Sequence, residues 1–454
     1  MIRRTVAPLL AVAAIVCVIA AVRVGPGAST STDVAAGTPA WSARRVPVPI
    51  ADAVAQFRLR DELAAILAGT AACVVVDGPP GRIVDLAGST PLIPASTIKI
   101  LTAIGALVTL PDGHRFVTTV VADGVPSGST IPAVALVGGG DPLLGTPEWV
   151  DARAADPLTA GTSTTPLAAL ADQLVERGVS SIPGGVVGVA ARWSTEPTSL
   201  DGWPASYRTN AIGPVVSLTV NGGFRGVGDP ATNAPLFAAE ELTRLLRDRG
   251  VEVGAPSTAG TAPRGTVLAT VESAPLVDIV GEMLAVSDNL TAEVVVREIA
   301  AARGASSTDD GVAIIREELA SLGLPLEGFD QRDGSGLSRA SRVPCTLLSA
   351  ALVLTEQPRF APVRAGLAVA GERGTLARVL LDTDLAGRLV AKTGTLPGVS
   401  GLAGFVEVGV PLRFAMLANG DFGESAAVPL RERVAQSLGR YPDAPAGDDL
   451  VPSP

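Results

Sequence analysis

Strand-like segments lie near both ends of this chain, and helix-like segments fill much of the sequence between them. Residues 71–77 and 82–85 flank the turn sequence Gly78-Pro79-Pro80-Gly81 and predict a hairpin. Three more strands are predicted near the carboxyl end, at 388–395, 402–408 and 412–417. Because each of these apolar strands needs partners and a covering layer, we expect one antiparallel sheet, closed by both chain ends and flanked by helices. This pattern predicts an α+β fold.

A large insertion interrupts the helical part of the sequence. The predicted helix 98–110 is apolar on nearly all sides, which indicates a buried central helix. From residue 116 to about 274 the texture changes to short strand-like runs with Gly and Pro turns, interrupted by amphipathic helices at 166–177 and 237–249. The predicted divisions are an export signal or membrane anchor at 1–23, a flexible linker at 24–50, a main domain made of 51–113 plus 275–440, a mainly β insertion of one or two domains at 114–274, and a disordered tail at 441–454.

The first residues predict where the protein acts. Arg3 and Arg4 precede an apolar run, Thr5–Val22, which ends at Arg23. A basic segment followed by such a run is typical of an export signal, and 18 apolar residues are also enough to span a bilayer. A cleaved signal and an uncleaved anchor both remain open. Either one places the bulk of the chain outside the cytoplasm, in the cell envelope or secreted.

Charge and cysteine content narrow the classes of partner. The formal net charge is −10 and no basic stripe is present, which argues against a nucleic-acid partner. Of the three cysteines, Cys17 belongs to the apolar segment, which leaves Cys73 and Cys345. We prefer two buried thiols for this pair, with a disulfide as the alternative.

Lysine is rare in this chain, and its positions are informative. Lys99 and Lys392 are the two lysines among 35 basic residues. A guanidinium stays charged, whereas a crowded or buried ammonium can lose its proton. Lys99 lies three positions after Ser96 on a predicted helix, so its amine is expected beside the hydroxyl. Lys392 begins Lys392-Thr393-Gly394-Thr395 at a predicted strand end, and Ser287-Asp288-Asn289 lies between the two lysines.

These residue types predict nucleophilic catalysis. Serine is a weak nucleophile that needs an adjacent base. The chain's one histidine, His114, falls in a predicted surface turn, so a Ser-His-Asp triad is not expected. Lys99 is the candidate base for Ser96, and a charged Lys392 about 4 Å away would lower the pKa of Lys99 by repulsion, together with burial.

The remaining motif residues have matching roles. Ser287 can relay a proton between the two amines, and Asn289 can orient the base and the substrate, although the same tripeptide alone reads as an ordinary helix N-cap. Thr393, Gly394 and Thr395 offer a strand edge to an incoming peptide and hydroxyls to its carboxylate. The backbone N–H groups of Thr395 and of the nucleophile itself would form the oxyanion hole.

Ser-x-x-Lys, Ser-Asp-Asn and Lys-Thr-Gly, in this order, are the signature of penicillin-binding proteins and class A β-lactamases. The long stretch between the first two motifs, and the lack of Glu-x-x-Leu-Asn between the second and third, separate this chain from the β-lactamases. The sequence resembles the D-alanyl-D-alanine carboxypeptidase/endopeptidase family of class C low-molecular-mass penicillin-binding proteins, peptidase family S13. Further marks of that family are Gly138-Gly139-Gly140-Asp141-Pro142, Leu290 with Ala292-Glu293, Asp333-Gly334-Ser335-Gly336-Leu337-Ser338-Arg339, Gly374-Thr375-Leu376 and Leu402-Ala403-Gly404-Phe405.

The resemblance implies a β-lactamase/transpeptidase-like domain and an enzyme that needs no cofactor or metal. It implies a serine acyl-enzyme that removes the terminal D-alanine of peptidoglycan stem peptides or cuts their cross-links, and that β-lactams acylate. By the same resemblance the catalytic residues are Ser96, Lys99, Ser287, Asn289 and Lys392. Family members often carry an aspartate facing the diaminopimelate side chain, and residues 184–190 contain no acid, so that subsite is left open.

Some interpretations compete with this one. We interpret Asp141 and Asp333 as turn residues beside glycine. A β-lactamase or esterase of the same fold is an alternative function. A catalytically silent wall-binding protein, with the insertion as its functional part, is the alternative from a different class.

Overall fold

The computed structural model describes residues 48–79, 81–193, 203–204 and 206–443. The predicted export segment with Cys17, most of the linker, and the tail from residue 444 onward lie outside these ranges. Among the residues so described, no helix has both the length and the apolar character needed to cross a membrane.

Helices and strands alternate along the chain in the predicted order. The helices are α1 (Val48–Ile66), α2 (Lys99–Thr109), α3 (Pro147–Ala155), α4 (Ala168–Glu176), α5 (Tyr207–Asn210), α6 (Ala234–Asp248), α7 (Leu276–Ala285), α8 (Asn289–Ala302), α9 (Thr308–Ser321), α10 (Cys345–Leu354), α11 (Ala361–Gly366) and α12 (Glu424–Gly439). The strands are β1 (Ala71–Gly78), β2 (Gly81–Leu86), β3 (Val117–Asp123), β4 (Ala133–Val137), β5 (Leu144–Gly145), β6 (Thr165–Pro166), β7 (Ser181–Ile182), β8 (Val186–Val189), β9 (Phe224–Gly226), β10 (Asp229–Pro230), β11 (Glu252–Val253), β12 (Thr258–Ala259), β13 (Val267–Glu272), β14 (Ala368–Val369), β15 (Leu389–Leu396), β16 (Val399–Val406) and β17 (Leu412–Asn419).

One antiparallel sheet joins the two ends of the chain, as the sequence predicts. Its order is β14-β15-β16-β17-β1-β2, so the N-terminal hairpin lies beside the last strand. Successive residues of β17 enter different cores because side chains alternate along a strand: Ala415 and Leu417 belong to the core with α2, α7 and α8, whereas Phe414 and Met416 belong to the core with α1 and α12. The sheet is therefore covered on both faces, and the predicted α+β fold class is confirmed.

The central helix α2 is buried from Lys99 to Leu107. Its apolar side chains pack against α8, α9 and the strands of the main sheet in one core cluster. A charged residue in such a helix loses hydration, so the sequence position of Lys99 already fixes an apolar surrounding for its amine.

The inserted segment builds a second sheet of order β12-β8-β4-β3-β13. The pairs β4–β8 and β8–β12 are parallel. Parallel neighbours need crossover connections, and the crossovers here contain α4 and α6. The insertion, expected to be mainly β, therefore contains helix and strand in comparable amounts. A core cluster drawn only from residues 120–271 supports an insertion at 114–274, although those boundaries stay a prediction.

Cys73 and Cys345 form a disulfide, so our preference for two buried thiols is wrong. Cys73 lies in β1, and Cys345 is the first residue of α10. The packing of α10 on the sheet brings their Cα atoms to 5.9 Å, and the S–S distance is 2.03 Å. Sequence separation gave no sign of this contact, because the two residues are 272 positions apart.

Candidate active site

Ser96 lies in a 3₁₀ turn, Ala95–Ile98, immediately before α2. The turn is tightly held, since Ala95 has a φ of 46°, which an L-residue rarely adopts. Strand β15 passes so close that a Cβ added at Gly394 would lie 2.7 Å from the Pro94 carbonyl oxygen. The glycine of the Lys-Thr-Gly motif is therefore needed to bring that strand against the serine.

The structure places the Lys99 amine beside Ser96, as the spacing predicts. The Lys99 Nζ atom is 2.9 Å from Ser96 Oγ, 2.7 Å from Asn289 Oδ1 and 2.7 Å from the Ser335 carbonyl oxygen. The lysine is fully buried. Residues from three separate stretches of sequence thus meet at one nitrogen.

Ser287-Asp288-Asn289 combines a helix cap with residues of the site. Asp288 accepts a hydrogen bond from Thr291 N at 2.6 Å and caps α8, so the N-cap interpretation holds for this residue. Asn289 Nδ2 donates to Ala211 O at 2.9 Å, which directs its amide oxygen toward the lysine. Ser287 has a φ of 64° and lines the cleft.

The expected bridge between the two amines through Ser287 is not formed. Within the ranges described, the Ser287 hydroxyl has no hydrogen-bond partner, although it lines the same cleft as Ser96. The Lys392 Nζ atom instead donates to Thr393 O at 3.0 Å. A relay through Ser287 therefore requires substrate or water in the cleft.

Burial controls the charge on both lysines. Desolvation lowers the pKa of Lys99 to about 8, against the opposing effect of the Asp333, Glu293 and Asp288 carboxylates. Desolvation also holds the pKa of Lys392 well below its usual range.

Our assignment of Lys392 as the charged partner is therefore not supported. The positive charges of Lys99 and Arg431 lower the pKa of Lys392 further, so the repulsion acts mainly on Lys392. The neutral state of Lys99 depends on burial, which the apolar helix α2 supplies.

Two buried carboxylates support the loop that presents Ser335 to the base. Glu293 accepts hydrogen bonds from Ser335 N at 2.7 Å and Gly334 N at 3.2 Å. Burial, and then the charge of Asp333, raise the pKa of Glu293 to about 7. Glu293 was quoted only as a family mark, yet its position four residues after Asn289, in an apolar helical stretch, is a signal that could have identified it.

Asp333 is a turn residue, as interpreted, but it is also a fully buried anion. Its carboxylate accepts from Gly336 N at 2.8 Å, Ser338 N at 2.5 Å and Trp203 Nε1 at 2.8 Å. Burial raises its pKa, while these donors favour the ionised form. Asp141 is likewise buried in a turn, where it accepts from Leu143 N at 2.8 Å, and it does not line the cleft.

His114 does not belong to the cleft, but our placement of it in a surface turn is wrong. Its Nε2 atom lies 3.4 Å from Glu298 Oε1, and its side chain is 15% exposed. Burial lowers its pKa. Because the ring contacts Glu298 and Phe116 rather than Ser96, the exclusion of a Ser-His-Asp triad stands.

The motif residues surround one cleft of about 430 Å³. Sequence reasoning missed several of its lining residues, among them Tyr207, Asn210, Thr375, Glu424 and Arg431. In the part of the chain that the structure covers, no group of three or more His, Cys, Asp or Glu side chains is arranged to hold a metal ion.

Comparison with known proteins agrees with this geometry. The model of the D-Ala-D-Ala carboxypeptidase 3 (S13) family matches residues 59–229 and 227–440. Carboxypeptidase DacB of Mycolicibacterium smegmatis is 34% identical over 350 residues, which cover 72% of each chain. The D-alanyl-D-alanine carboxypeptidase of an Actinomadura species is 30% identical over 475 residues, which cover 87% of each chain.

The fold has solved counterparts. The crystal structure of penicillin binding protein 4 (dacB) from Haemophilus influenzae matches with a TM-score of 0.70 at 21% identity, over 84% of this chain and 99% of that one. The same protein, complexed with a novel β-lactam, matches with a TM-score of 0.63 at 22% identity over the same shares. With nearly all of the described chain matched, this protein belongs to the D-Ala-D-Ala carboxypeptidase 3 (S13) family, as its motifs predicted, and is a serine-type D-Ala-D-Ala carboxypeptidase/endopeptidase.

Proposed function

We propose that this enzyme cleaves D-alanyl-D-alanine stem peptides of peptidoglycan, or their cross-links, through an acyl-enzyme on Ser96 with Lys99 as general base. The observation that carries the proposal is the set of partners around the Lys99 amine. A neutral amine has two N–H groups and one lone pair. The Asn289 amide oxygen and the Ser335 carbonyl oxygen can only accept, so they take both hydrogens. The lone pair is then left facing Ser96 Oγ at 2.9 Å.

This arrangement supports one direction of proton transfer. Ser96 Oγ attacks the carbonyl carbon of the penultimate D-alanine, and its proton passes to Lys99. The oxyanion is held by the backbone N–H groups of Ser96 and Thr395. When the intermediate collapses, the C–N bond breaks and the leaving amine takes a proton through the Ser287 hydroxyl, with Lys392 at the other end of the relay. Water then releases the acyl group.

The edge of β15 supports the docking of an extended peptide. Strand β14 pairs only with Val390 and Ala391, whereas β16 pairs with the whole of β15. Beyond Ala391 the outer edge of β15 has no strand partner among the described residues, and Thr393 and Thr395 line the cleft there. A peptide added along Thr393–Thr395 would gain backbone hydrogen bonds and hydroxyl contacts.

We also propose an extracytoplasmic location, with residues 5–22 as signal or anchor, and acylation by β-lactams. The family membership supports a wall-directed enzyme. The β-lactam complex of the Haemophilus influenzae protein supports acylation, although at that identity the likeness itself concerns the fold.

The test is hydrolysis of a purified stem pentapeptide and a cross-linked stem-peptide dimer by the wild type and by Ser96→Ala. We expect release of D-alanine, cleavage of the dimer, or both, and neither with Ser96→Ala. Rapid turnover of a chromogenic cephalosporin would favour a β-lactamase instead. A protein that binds peptidoglycan while the wild type and Ser96→Ala are equally inert would favour the silent wall-binding alternative.

A further inference from the structure

Arg431 is a buried arginine whose guanidinium is only partly used by the protein. It belongs to α12, and 7% of the residue is exposed. Its Nη1 atom donates to Thr395 Oγ1 at 2.5 Å and to Gly394 O at 3.1 Å. Its Nε and Nη2 groups have no hydrogen-bond partner, and no carboxylate forms a salt bridge with it, among residues 48–443 as described.

A guanidinium in this position is costly without an anion. Burying a charged group is unfavourable unless it is paired. Burial lowers the pKa of Arg431 to about 10, which still leaves it charged at neutral pH. Because Arg431 lines the catalytic cleft, the missing anion can come from a bound molecule.

The other basic side chain near this strand cannot replace it. Lys392 is fully buried, its amine is turned to Thr393 O, and its pKa is held well below its usual range. The residues that line the cleft, in the described part of the chain, include one acid, Glu424, and one fixed cation, Arg431. The positive charge that sequence reasoning placed on Lys392 is thus supplied by Arg431.

We propose that Arg431 binds the carboxylate next to the scissile amide nitrogen and so selects substrates in which this carboxylate is free. The Thr395 hydroxyl accepts from Arg431, which leaves its own hydrogen available for the same carboxylate. Thr393 and Thr375, whose hydroxyls lie 2.9 Å apart, add further donors in the same cleft. The ligand class is an acyl-D-amino acid with a free carboxylate, not its amide. This inference rests on the proposed function.

The test compares two probes that differ only in that charge. An N-acylated D-alanyl-D-alanine and the same peptide with a C-terminal carboxamide are incubated with wild type, Arg431→Gln, Arg431→Lys and Arg433→Gln. The ratio of kcat/KM for acid over amide is measured for each. A ratio is unaffected by partial misfolding, because both probes report on the same folded fraction. Arg433 is exposed on the same helix and does not line the cleft, so it is the matched control.

We expect the wild type and Arg433→Gln to share a high ratio. Arg431→Gln should lower the ratio by roughly 10- to 100-fold, the usual worth of a charge-assisted hydrogen bond. Arg431→Lys, which keeps a cation, should fall between them. An unchanged ratio in Arg431→Gln would overturn the assignment of Arg431. If the wild type cleaved neither probe and was not acylated by penicillin, the failure would lie in the proposed function instead.

Discussion

The pH dependence of acylation follows from the buried state of Lys99. Only the neutral amine can accept the Ser96 proton, and the pKa of Lys99 is about 8. Below that pH the neutral fraction falls tenfold per unit, so at pH 6 about one hundredth of the lysine is neutral. The second-order rate of acylation by penicillin should therefore rise with pH, reach half its maximum near pH 8, and level off above it.

Other groups titrate in the same range and need controls. The pKa of Glu282 is raised to about 7 by burial, and His114 has an ordinary value of 6.5 that burial lowers. Stopped-flow measurement with a fluorescent penicillin from pH 5 to pH 10 should give the same midpoint in Glu282→Gln and His114→Asn as in the wild type. Asp333→Asn should move the midpoint to lower pH, because Asp333 is the largest of the charges that raise the pKa of Lys99.

Two results would refute this reasoning. A rate independent of pH across this range would mean that no proton is removed from a group such as Lys99. A midpoint near 6 to 7 that disappears in His114→Asn or Glu282→Gln would assign the titration to that residue.

Three further changes test separate parts of the structure. Lys99→Arg should slow acylation by about 10²- to 10⁴-fold in the same assay, because arginine stays charged, and an undiminished rate would contradict the role of the base. Replacing Cys73 and Cys345 together by alanine should lower the free energy of unfolding by about 2–5 kcal/mol in denaturant titration, and no change would argue against the disulfide. Gly394→Ala should cost about 1–3 kcal/mol by the same titration and slow acylation, since its Cβ would meet a backbone oxygen at 2.7 Å, whereas Gly226→Ala, in open space, should change neither.

Local patterns predicted most of the fold because they reflect local physics. Two-residue alternation and turn residues located the strands, and the all-apolar helix located α2. The i to i+3 spacing of Ser96 and Lys99 predicted a contact that depends only on helical geometry. The helix Glu424–Gly439 begins five residues before its predicted start at Pro429, since proline was read as a first-turn residue although it lies inside the helix.

Contacts between distant segments could not be read in the same way. The Cys73–Cys345 bond, the placement of Arg431 behind Thr395, and the carboxylate of Asp333 near Lys99 depend on tertiary packing. The charge state of the two lysines failed for the same reason. Repulsion between them could be argued from sequence, but the degree to which each is desolvated could not.

The most direct test of the account is mass spectrometry of the penicillin-treated protein. We predict one covalent adduct per chain, on the peptide that contains Ser96, no adduct in Ser96→Ala, and slow adduct formation in Lys99→Arg. An adduct on any other residue, or a Ser96→Ala protein labelled as fast as the wild type, would contradict the assignment of Ser96 as the nucleophile.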